Sequence, residues 1–209
     1  MDIFHSFMQY LISLPAIIVG LTFHEYAHGR MAYYLGDDTA YRMGRLTLNP
    51  LPHLDMVGFL MLLFFHFGWA KPVPVNPNGF TSMGRKKGML LVAIAGPAMN
   101  FVLAAAGMLL LRILDMLHLL SPNGVLLQLL FPLITVNLGL MVFNLIPIPP
   151  LDGSRVLAGL LPDSASAVMD ALERYGAILL LIFVLSDAAG AILLPGVSAV
   201  YSFLYYLIF

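Results

Sequence analysis

Two histidines one helical turn apart, with an acid beside them, are the residues of this chain best suited to chemistry. His24 and His28 form an H-E-x-x-H pattern, and a spacing of four residues puts two side chains about 40° apart on one face of an α-helix. Two imidazoles placed in this way can bind one tetrahedral metal ion, and Glu25 can accept a proton from a metal-bound water. The alternative is that both histidines are core or capping residues at the end of an apolar helix.

Asp152 is the predicted third metal ligand. It follows a proline-rich break at residues 147–150 of an apolar chain. A carboxylate is costly in such surroundings, so its presence indicates a specific role. A catalytic zinc ion takes three protein ligands and keeps its fourth position open for a water, whose pKa it lowers. Glu25 would accept the proton of this water and return it to the leaving amine. Asp152 can also cap a helix over residues 153–161, and the two roles are compatible.

Four further polar residues are weaker candidates for the site. Asn100 and Asn144 stand in apolar helical stretches, where each can contact a developing oxyanion or a substrate backbone. Their alternative role is hydrogen bonding between packed helices. His53 and Asp55, two residues apart, either contact the metal ligands from behind, form a second small ligand set, or belong to an interfacial turn.

The composition is that of a polytopic membrane protein. Of the 209 residues, 60% are hydrophobic and 10% are charged, whereas a soluble domain carries about 25% charged residues. We therefore expect an all-α membrane fold, and a soluble metalloprotease is excluded. The chain contains no cysteine, which excludes disulfides, thiolate zinc sites and a cysteine nucleophile. The net charge of −1 says nothing about nucleic acid, and no basic stripe indicates a nucleic-acid partner.

Apolar stretches of helical length predict five to six transmembrane helices. The first, at residues 3–35, contains the H-E-x-x-H pattern near its end, and its apolar part is long enough to cross a hydrocarbon core of about 30 Å. No basic region followed by a cleavage site precedes it, so we expect this helix to be retained. The remaining helices are expected at residues 83–117, 125–146, 165–186 and 190–209.

The segment at residues 51–80 does not fit a plain membrane span. Residues 51–68 are apolar but short, so they either cross the membrane or dip in and return. Pro72, Pro74 and Pro77 then exclude a helix and favour an extended chain. Extended backbone is tolerated at membrane depth where protein covers it or where it lines a wet cavity. It either offers an edge to a substrate strand or is a surface loop.

The distribution of lysine and arginine predicts the orientation of the chain. If residues 51–68 enter and leave on one side, the basic residues of the loops fall on that side, and only Arg112 clearly falls opposite. This arrangement places the amino terminus outside and brings His24 about 30 Å inward along its helix, to the depth of Asp152. We therefore expect a multi-pass protein of the cell membrane with its active site toward the cytoplasmic side.

Three stretches resemble motifs of the site-2 protease family of zinc intramembrane metalloproteases: residues 24–28, 95–100 and 144–153. The last is similar to the family's Asn/Pro…Asp-Gly signature, which implies that Asp152 is the third zinc ligand and that Asn144 contacts the substrate or the oxyanion. Residues 48–50 and 71–77 resemble a compact prokaryotic branch of the family, and the chain contains no PDZ-like insert.

The resemblance implies a zinc-dependent endopeptidase that cuts transmembrane or membrane-proximal segments of membrane-protein substrates in the lipid bilayer. It also implies one Zn²⁺ per chain and a single membrane-embedded domain over residues 1–209, with a core at 10–160 and accessory helices at 165–209. The alternative is a non-proteolytic membrane protein whose structural or regulatory metal site binds another membrane protein. Glu25 disfavours that alternative, because a structural metal site has no use for a base. The oligomeric state stays open.

Overall fold

The computed structural model describes residues 3–65, 68–121 and 124–209. In these ranges the chain forms eight α-helices and no named β-strand. The helices, in chain order, are α1 Ile3–Tyr34, α2 Thr39–Arg42, α3 Met56–Phe65, α4 Arg85–Met116, α5 Val125–Asn144, α6 Asp152–Leu160, α7 Ser166–Leu185 and α8 Asp187–Ile208. The expected all-α fold is thereby confirmed, and each predicted long helix begins and ends within three residues of the observed one.

Four of the described helices are long and apolar enough to cross a membrane: residues Tyr10–Tyr34 of α1, together with α4, α5 and α8. A fifth long helix, α7, has 20 residues but carries Asp170, Glu173 and Arg174 in its first half. Charges at the centre of a membrane helix are costly, at about 2.5–3.5 kcal/mol each. The protein is thus an all-α, multi-pass membrane protein. Four candidate spans are observed among the described residues where five to six were expected, and the difference arises at α7, which was expected to be a span.

The first, fourth and fifth helices pack against one another and form the centre of the bundle. A Cβ at Gly20 of α1 would lie 2.8 Å from Leu140 Cδ1 and 3.0 Å from Asn137 Oδ1 on α5. Such close approach gives membrane helices the van der Waals contact that holds them together in lipid. Five buried residues form the main apolar core, to which α8 contributes the last: Ala104, Met108, Ile134, Leu138 and Leu204.

Within the segment at residues 51–80, the chain returns to the place from which it left the rest of the bundle. Leu54 and Ala70 form an isolated antiparallel bridge, and the Lys71 N–H donates to the His53 carbonyl at 2.8 Å. Between them α3 has 10 residues, which make about 15 Å of helix, or half the thickness of a hydrocarbon core. The segment therefore turns back instead of crossing, as the re-entrant alternative expects. Residues 66 and 67 of this segment lie outside the described residues.

Candidate metal centre

Three polar side chains from two helices converge in the interior of the bundle. His24 and His28 lie on one face of α1, and Asp152 is the first residue of α6. The Nε2 atoms of the histidines are 2.9 Å apart, and Asp152 Oδ2 lies 3.0 Å from Nε2 of His24 and 3.2 Å from Nε2 of His28. Each residue is at most 8% exposed. The structure thus brings together the three residues predicted as metal ligands.

The second ring nitrogen of each histidine has a hydrogen-bond acceptor. His28 Nδ1 lies 2.7 Å from the carbonyl oxygen of Val92, and a carbonyl accepts but does not donate, so Nδ1 carries the hydrogen. His24 Nδ1 lies 2.6 Å from Asn100 Oδ1, which accepts in the same way. A neutral imidazole with its hydrogen on Nδ1 keeps a lone pair on Nε2. Both Nε2 atoms are therefore prepared to bind a metal.

The centre has the properties of a cation site. Asp152 Oδ2 is buried without a hydrogen-bond donor, although buried charges are normally paired or coordinate metals. With both histidines in the neutral tautomer that carries its hydrogen on Nδ1, it faces two nitrogen lone pairs, and a positive charge among the three atoms relieves their mutual repulsion. Two imidazoles and one carboxylate are ligand types of catalytic zinc, and ligand atoms about 2.1 Å from one tetrahedral ion lie about 3.4 Å apart. The observed separations of 2.9, 3.0 and 3.2 Å are close to that spacing.

A glycine on α4 makes room for the two imidazoles. A Cβ at Gly96 would lie 2.6 Å from both Cε1 and Nε2 of His24, and it would also overlap Nε2 of His28. Any side chain at this position would push the rings away from their present positions, because a packed interior has no spare volume. This requirement is not visible in the sequence, where Gly96 is one of several small residues in an apolar helix.

Asp152 reaches the histidines because the chain folds tightly after α5. A Cβ at Gly153 would overlap the main-chain carbonyl of Leu145, so a residue without a side chain lets the start of α6 pack against the end of α5. The cap role considered for Asp152 is not observed, since Leu151 is the residue before the helix and no side chain caps it. The Ser154 hydroxyl bonds to the Leu151 carbonyl at 2.7 Å, and the Asp152 carboxylate faces α1.

Glu25 connects the metal centre to the extended chain that follows α3. Its Oε2 accepts a hydrogen bond of 2.8 Å from the main-chain N–H of Val73. Val73 is buried and Glu25 is half-buried. The bond to Val73 uses only one of the two carboxylate oxygens of Glu25. Residues 71–76, which we call the extended segment, are thereby joined to the helix that carries the two histidines.

Two buried charges, neither of them a candidate from the sequence, hold the extended segment in place. The Arg45 guanidinium donates to the carbonyls of Lys71 and Pro72 at 2.7 and 3.2 Å. Asp37 Oδ2 accepts a hydrogen bond of 2.6 Å from the Asn76 N–H. Hydrogen bonds with an ionised partner are shorter and stronger than neutral ones. The available signal in the sequence was that both charges stand in a short polar loop between apolar stretches.

The two candidate asparagines have different environments. Asn100 is completely buried, and its amide nitrogen donates to the Gly20 carbonyl at 3.1 Å and to Asn137 Oδ1 at 2.8 Å. With its oxygen on His24, Asn100 hydrogen-bonds between packed helices, which is the alternative role considered for it, and one of its partners is a predicted metal ligand. Asn144 is half-buried at the end of α5, where its amide donates to a carbonyl of its own helix at 3.0 Å.

His53 and Asp55 have local partners. The His53 ring is buried, and its Nε2 lies 2.8 Å from the Thr47 carbonyl oxygen. Asp55 Oδ1 accepts from the Gly58 N–H at 2.8 Å, a bond that satisfies a free N–H in the first turn of α3. Within the described part of the chain, neither side chain hydrogen-bonds to the metal centre or joins a second metal-binding group. Of the three alternatives considered for this pair, the local bonds agree with a turn and not with contact to the metal ligands or a second ligand set.

Comparison with known proteins points to one family. The sequence model of peptidase family M50 matches residues 112–185, a stretch that includes Asp152. YwhC of Bacillus subtilis (strain 168), a zinc metalloprotease by name, is 42% identical over 197 residues, which are 93% of this chain and 88% of YwhC.

More distant relatives carry the same designation in their names. MJ0611 of Methanocaldococcus jannaschii is 30% identical over 154 residues, which cover 73% of this chain and 72% of that protein. Rip2 of Mycolicibacterium smegmatis is 28% identical over 186 residues, which cover 86% of this chain and 68% of Rip2. No solved structure matches the chain significantly.

Proposed function

Because the chain belongs to peptidase family M50 and is a zinc metalloprotease, we propose that it cleaves peptide bonds within or beside the transmembrane segments of other membrane proteins. The observation that supports this proposal is that the two histidines lie within a candidate membrane span. His24 and His28 belong to Tyr10–Tyr34, a part of α1 that is long and apolar enough to cross a membrane, whose hydrocarbon core is about 30 Å thick. A peptide bond that reaches this centre belongs to a chain in or next to the membrane.

In this proposal His24, His28 and Asp152 hold one zinc ion per chain. A bound zinc ion supplies Lewis acidity, which lowers the pKa of a water molecule and polarises the carbonyl of the scissile bond. Glu25 accepts the proton of the water at the carboxylate oxygen that does not bond to Val73, and it delivers this proton to the leaving amine nitrogen. The Val73 N–H keeps the carboxylate oriented during both transfers.

The extended segment, residues 71–76, is the proposed binding edge for the substrate. A helical substrate hides its peptide bonds, since each N–H bonds to a carbonyl of the same helix, so the substrate must extend locally before attack. An extended chain offers main-chain groups with which a substrate strand can pair. The bond between Glu25 and Val73 puts this edge next to the proposed base. Asn144, the last residue of α5, is the proposed contact for the substrate main chain or the oxyanion.

We place the protease in the cell membrane, with its active site toward the cytoplasmic side and with lipid and membrane-protein substrates as its partners. This placement follows the preference of basic residues for the cytoplasm. The helix ends and loops on the side of the metal centre carry most of the basic residues, namely Arg30, Arg42, Arg45, Lys71, Arg85, Lys86, Lys87 and Arg155. All proposed catalytic groups fall within residues 10–160, and residues 165–209 are accessory helices of the same domain.

The substitution Glu25→Gln tests the proposal. Glutamine keeps an oxygen that can accept from the Val73 N–H, and residue 25 is not a proposed zinc ligand, so zinc content measured by mass spectrometry should equal that of the wild type. Glutamine cannot take up the proton, so cleavage of a model transmembrane substrate in proteoliposomes should fall at least about 100-fold.

Undiminished cleavage by the Glu25→Gln protein would exclude Glu25 as the base. The location of cleavage needs a second substrate, a soluble unfolded peptide with the same cleavage sequence. If the wild-type protein cuts the soluble peptide and leaves the membrane-inserted form intact, the intramembrane part of the proposal is wrong.

A further inference from the structure

We propose that Asn137, a residue of α5 that is not itself a zinc ligand, positions His24 for zinc through Asn100. Hydrogen bonds link the Leu133 carbonyl, Asn137, Asn100 and His24 in series, and each bond orients the group that makes the next. The inference rests on the ligand set of the proposed function and is independent of where in the membrane cleavage occurs. Because Asn137 acts through Asn100, it is a positioning residue.

The series begins at a main-chain carbonyl, which can only accept a hydrogen bond. Asn137 Nδ2 donates to the Leu133 carbonyl, one turn earlier in α5, at 2.7 Å. This bond orients the amide group, because the reversed amide would set its oxygen against the carbonyl oxygen. Asn137 Oδ1 is therefore presented to α4 as an acceptor. The residue is completely buried, so bulk water does not compete for this oxygen.

The next amide in the series is oriented from two sides. Asn100 Nδ2 donates to Asn137 Oδ1 at 2.8 Å and to the Gly20 carbonyl of α1 at 3.1 Å. Both amide hydrogens thus face oxygens, and the reversed amide would oppose two acceptors at once. The Asn100 oxygen is left to face His24 Nδ1, 2.6 Å away.

The result is one particular tautomer of His24. The Asn100 oxygen accepts the hydrogen of His24 Nδ1, so Nε2 keeps the lone pair that a metal ion needs. His28 reaches the same state more directly, because its Nδ1 meets the main-chain carbonyl of Val92. A main-chain carbonyl in a helix cannot turn over, whereas a side-chain amide can. His24 therefore depends on the groups that hold its partner, which are the Gly20 carbonyl and the side chain of Asn137.

Helix packing is the competing explanation for Asn137, and it makes a different prediction. Asn137 takes part in the close contact between α1 and α5, since its Oδ1 would lie 3.0 Å from a Cβ at Gly20. An apolar residue, however, packs at such a contact without polar atoms that need partners. If Asn137 only packs against or joins helices, the effect of replacing it does not depend on which side chain stands at residue 100. If it orients the Asn100 amide, the effect on zinc disappears once residue 100 no longer needs orienting.

The test is a double-mutant cycle on the zinc Kd of the purified full-length protein in detergent, measured by competition with a chelating dye. N137L removes one of the two acceptors of the Asn100 amide, so that only the Gly20 carbonyl still opposes its reversal. We expect the Kd to rise about 10- to 100-fold, as is typical when an outer partner of a metal ligand is lost. N100A removes the amide, so nothing at residue 100 remains to be oriented. In the N100A background, N137L should change the Kd by less than about twofold.

T135V is the matched control. Thr135 lies on the same helix, and its hydroxyl bonds to the Phe131 carbonyl at 2.9 Å, so the Kd of T135V should equal that of the wild type. If N137L is not recovered folded, N137A takes its place in both backgrounds. An unchanged Kd in the single variant would overturn the proposal, and so would an equal rise in both backgrounds. No substrate enters this assay, so failure of the proposed intramembrane cleavage would leave its outcome unaffected.

Discussion

The helices around the metal centre and the two C-terminal helices are similarly apolar but bury different groups. In the apolar 18-residue stretches of the candidate spans α1, α4 and α5, 28%, 33% and 22% of the residues are buried, against 6% in that of α8. Among the described residues, the buried polar side chains of the long helices all belong to the first group: Thr22, His24, His28, Asn100 and Asn137. The buried residues of α7 and α8 carry no polar side chain: Gly176, Phe183 and Leu204.

This difference shows what holds a membrane helix in one position. Lipid surrounds an apolar surface as favourably as protein does, so apolarity alone does not specify a packing arrangement. Hydrogen bonds between buried groups and close contacts at glycine do specify one, and both are concentrated around the candidate metal ligands. Substitutions around the metal centre should therefore change zinc binding, whereas those in the C-terminal helices should change stability alone.

The largest effect is expected from Asp152→Ala. Two imidazoles one helical turn apart remain, but the third ligand and its negative charge are gone, so zinc content should fall from one per chain to near zero and cleavage should be lost. Mass spectrometry of the metal in the purified protein measures this directly. Asp163→Ala removes an exposed acid outside the centre and serves as the control. Full zinc content in the Asp152→Ala protein would show that another acid completes the site.

A smaller effect is expected from Gly96→Ala. The added methyl group overlaps both imidazoles, so the rings must separate, and the zinc Kd should rise at least about tenfold, as for loss of an outer partner. Gly139→Ala on α5 is the matched control, because a Cβ there meets nothing within 4 Å. Equal zinc affinities of the two alanine variants would mean that the imidazoles do not need the space at Gly96.

In the C-terminal helices the expected effect is on stability. A Cβ at Gly196 of α8 would lie 2.8 Å from Val142 Cγ1 on α5, and overpacking of this kind costs about 1–3 kcal/mol. Gly196→Ala should lower the thermal midpoint in detergent and leave zinc content unchanged. Gly190→Ala, where a Cβ meets nothing within 4 Å, should not lower the midpoint. Loss of zinc in Gly196→Ala would contradict the division between the two regions.

The smallest effect is expected at the surface pair of Lys86 and Asp163, which lie 2.7 Å apart. The hydrogen bond and charge of Lys86 hold the pKa of the Asp163 carboxyl below its ordinary value, so the pair is formed at neutral pH. Asp163 is exposed to water, where ion pairs contribute little. Asp163→Asn should therefore leave both the thermal midpoint and the zinc content at pH 7 within experimental error. A clear fall in the midpoint would show that this pair anchors the accessory helices.

The long helices were predictable because lipid leaves few options to a chain. A long apolar segment must satisfy its backbone hydrogen bonds internally, so it forms a helix. Local patterns were insufficient at α7, where three charges fall in the first half of an otherwise apolar stretch. They were also insufficient at residues 51–68. The bridge between Leu54 and Ala70 joins positions that are far apart in the sequence, and a local hydrophobic pattern does not predict such a contact.

The sequence by itself determined the chemistry of the metal centre: the helical period brings His24 and His28 to one face, and Glu25 and Asp152 have side chains suited to a base and a ligand. Only the tertiary structure decided what stands behind each imidazole, a fixed carbonyl behind His28 and an amide in need of orientation behind His24. The physical reason is that these contacts cross between helices, and Gly96 and Gly153 permit them by lacking a side chain. A glycine in the sequence indicates that space is needed at its position, but it does not indicate which group occupies that space.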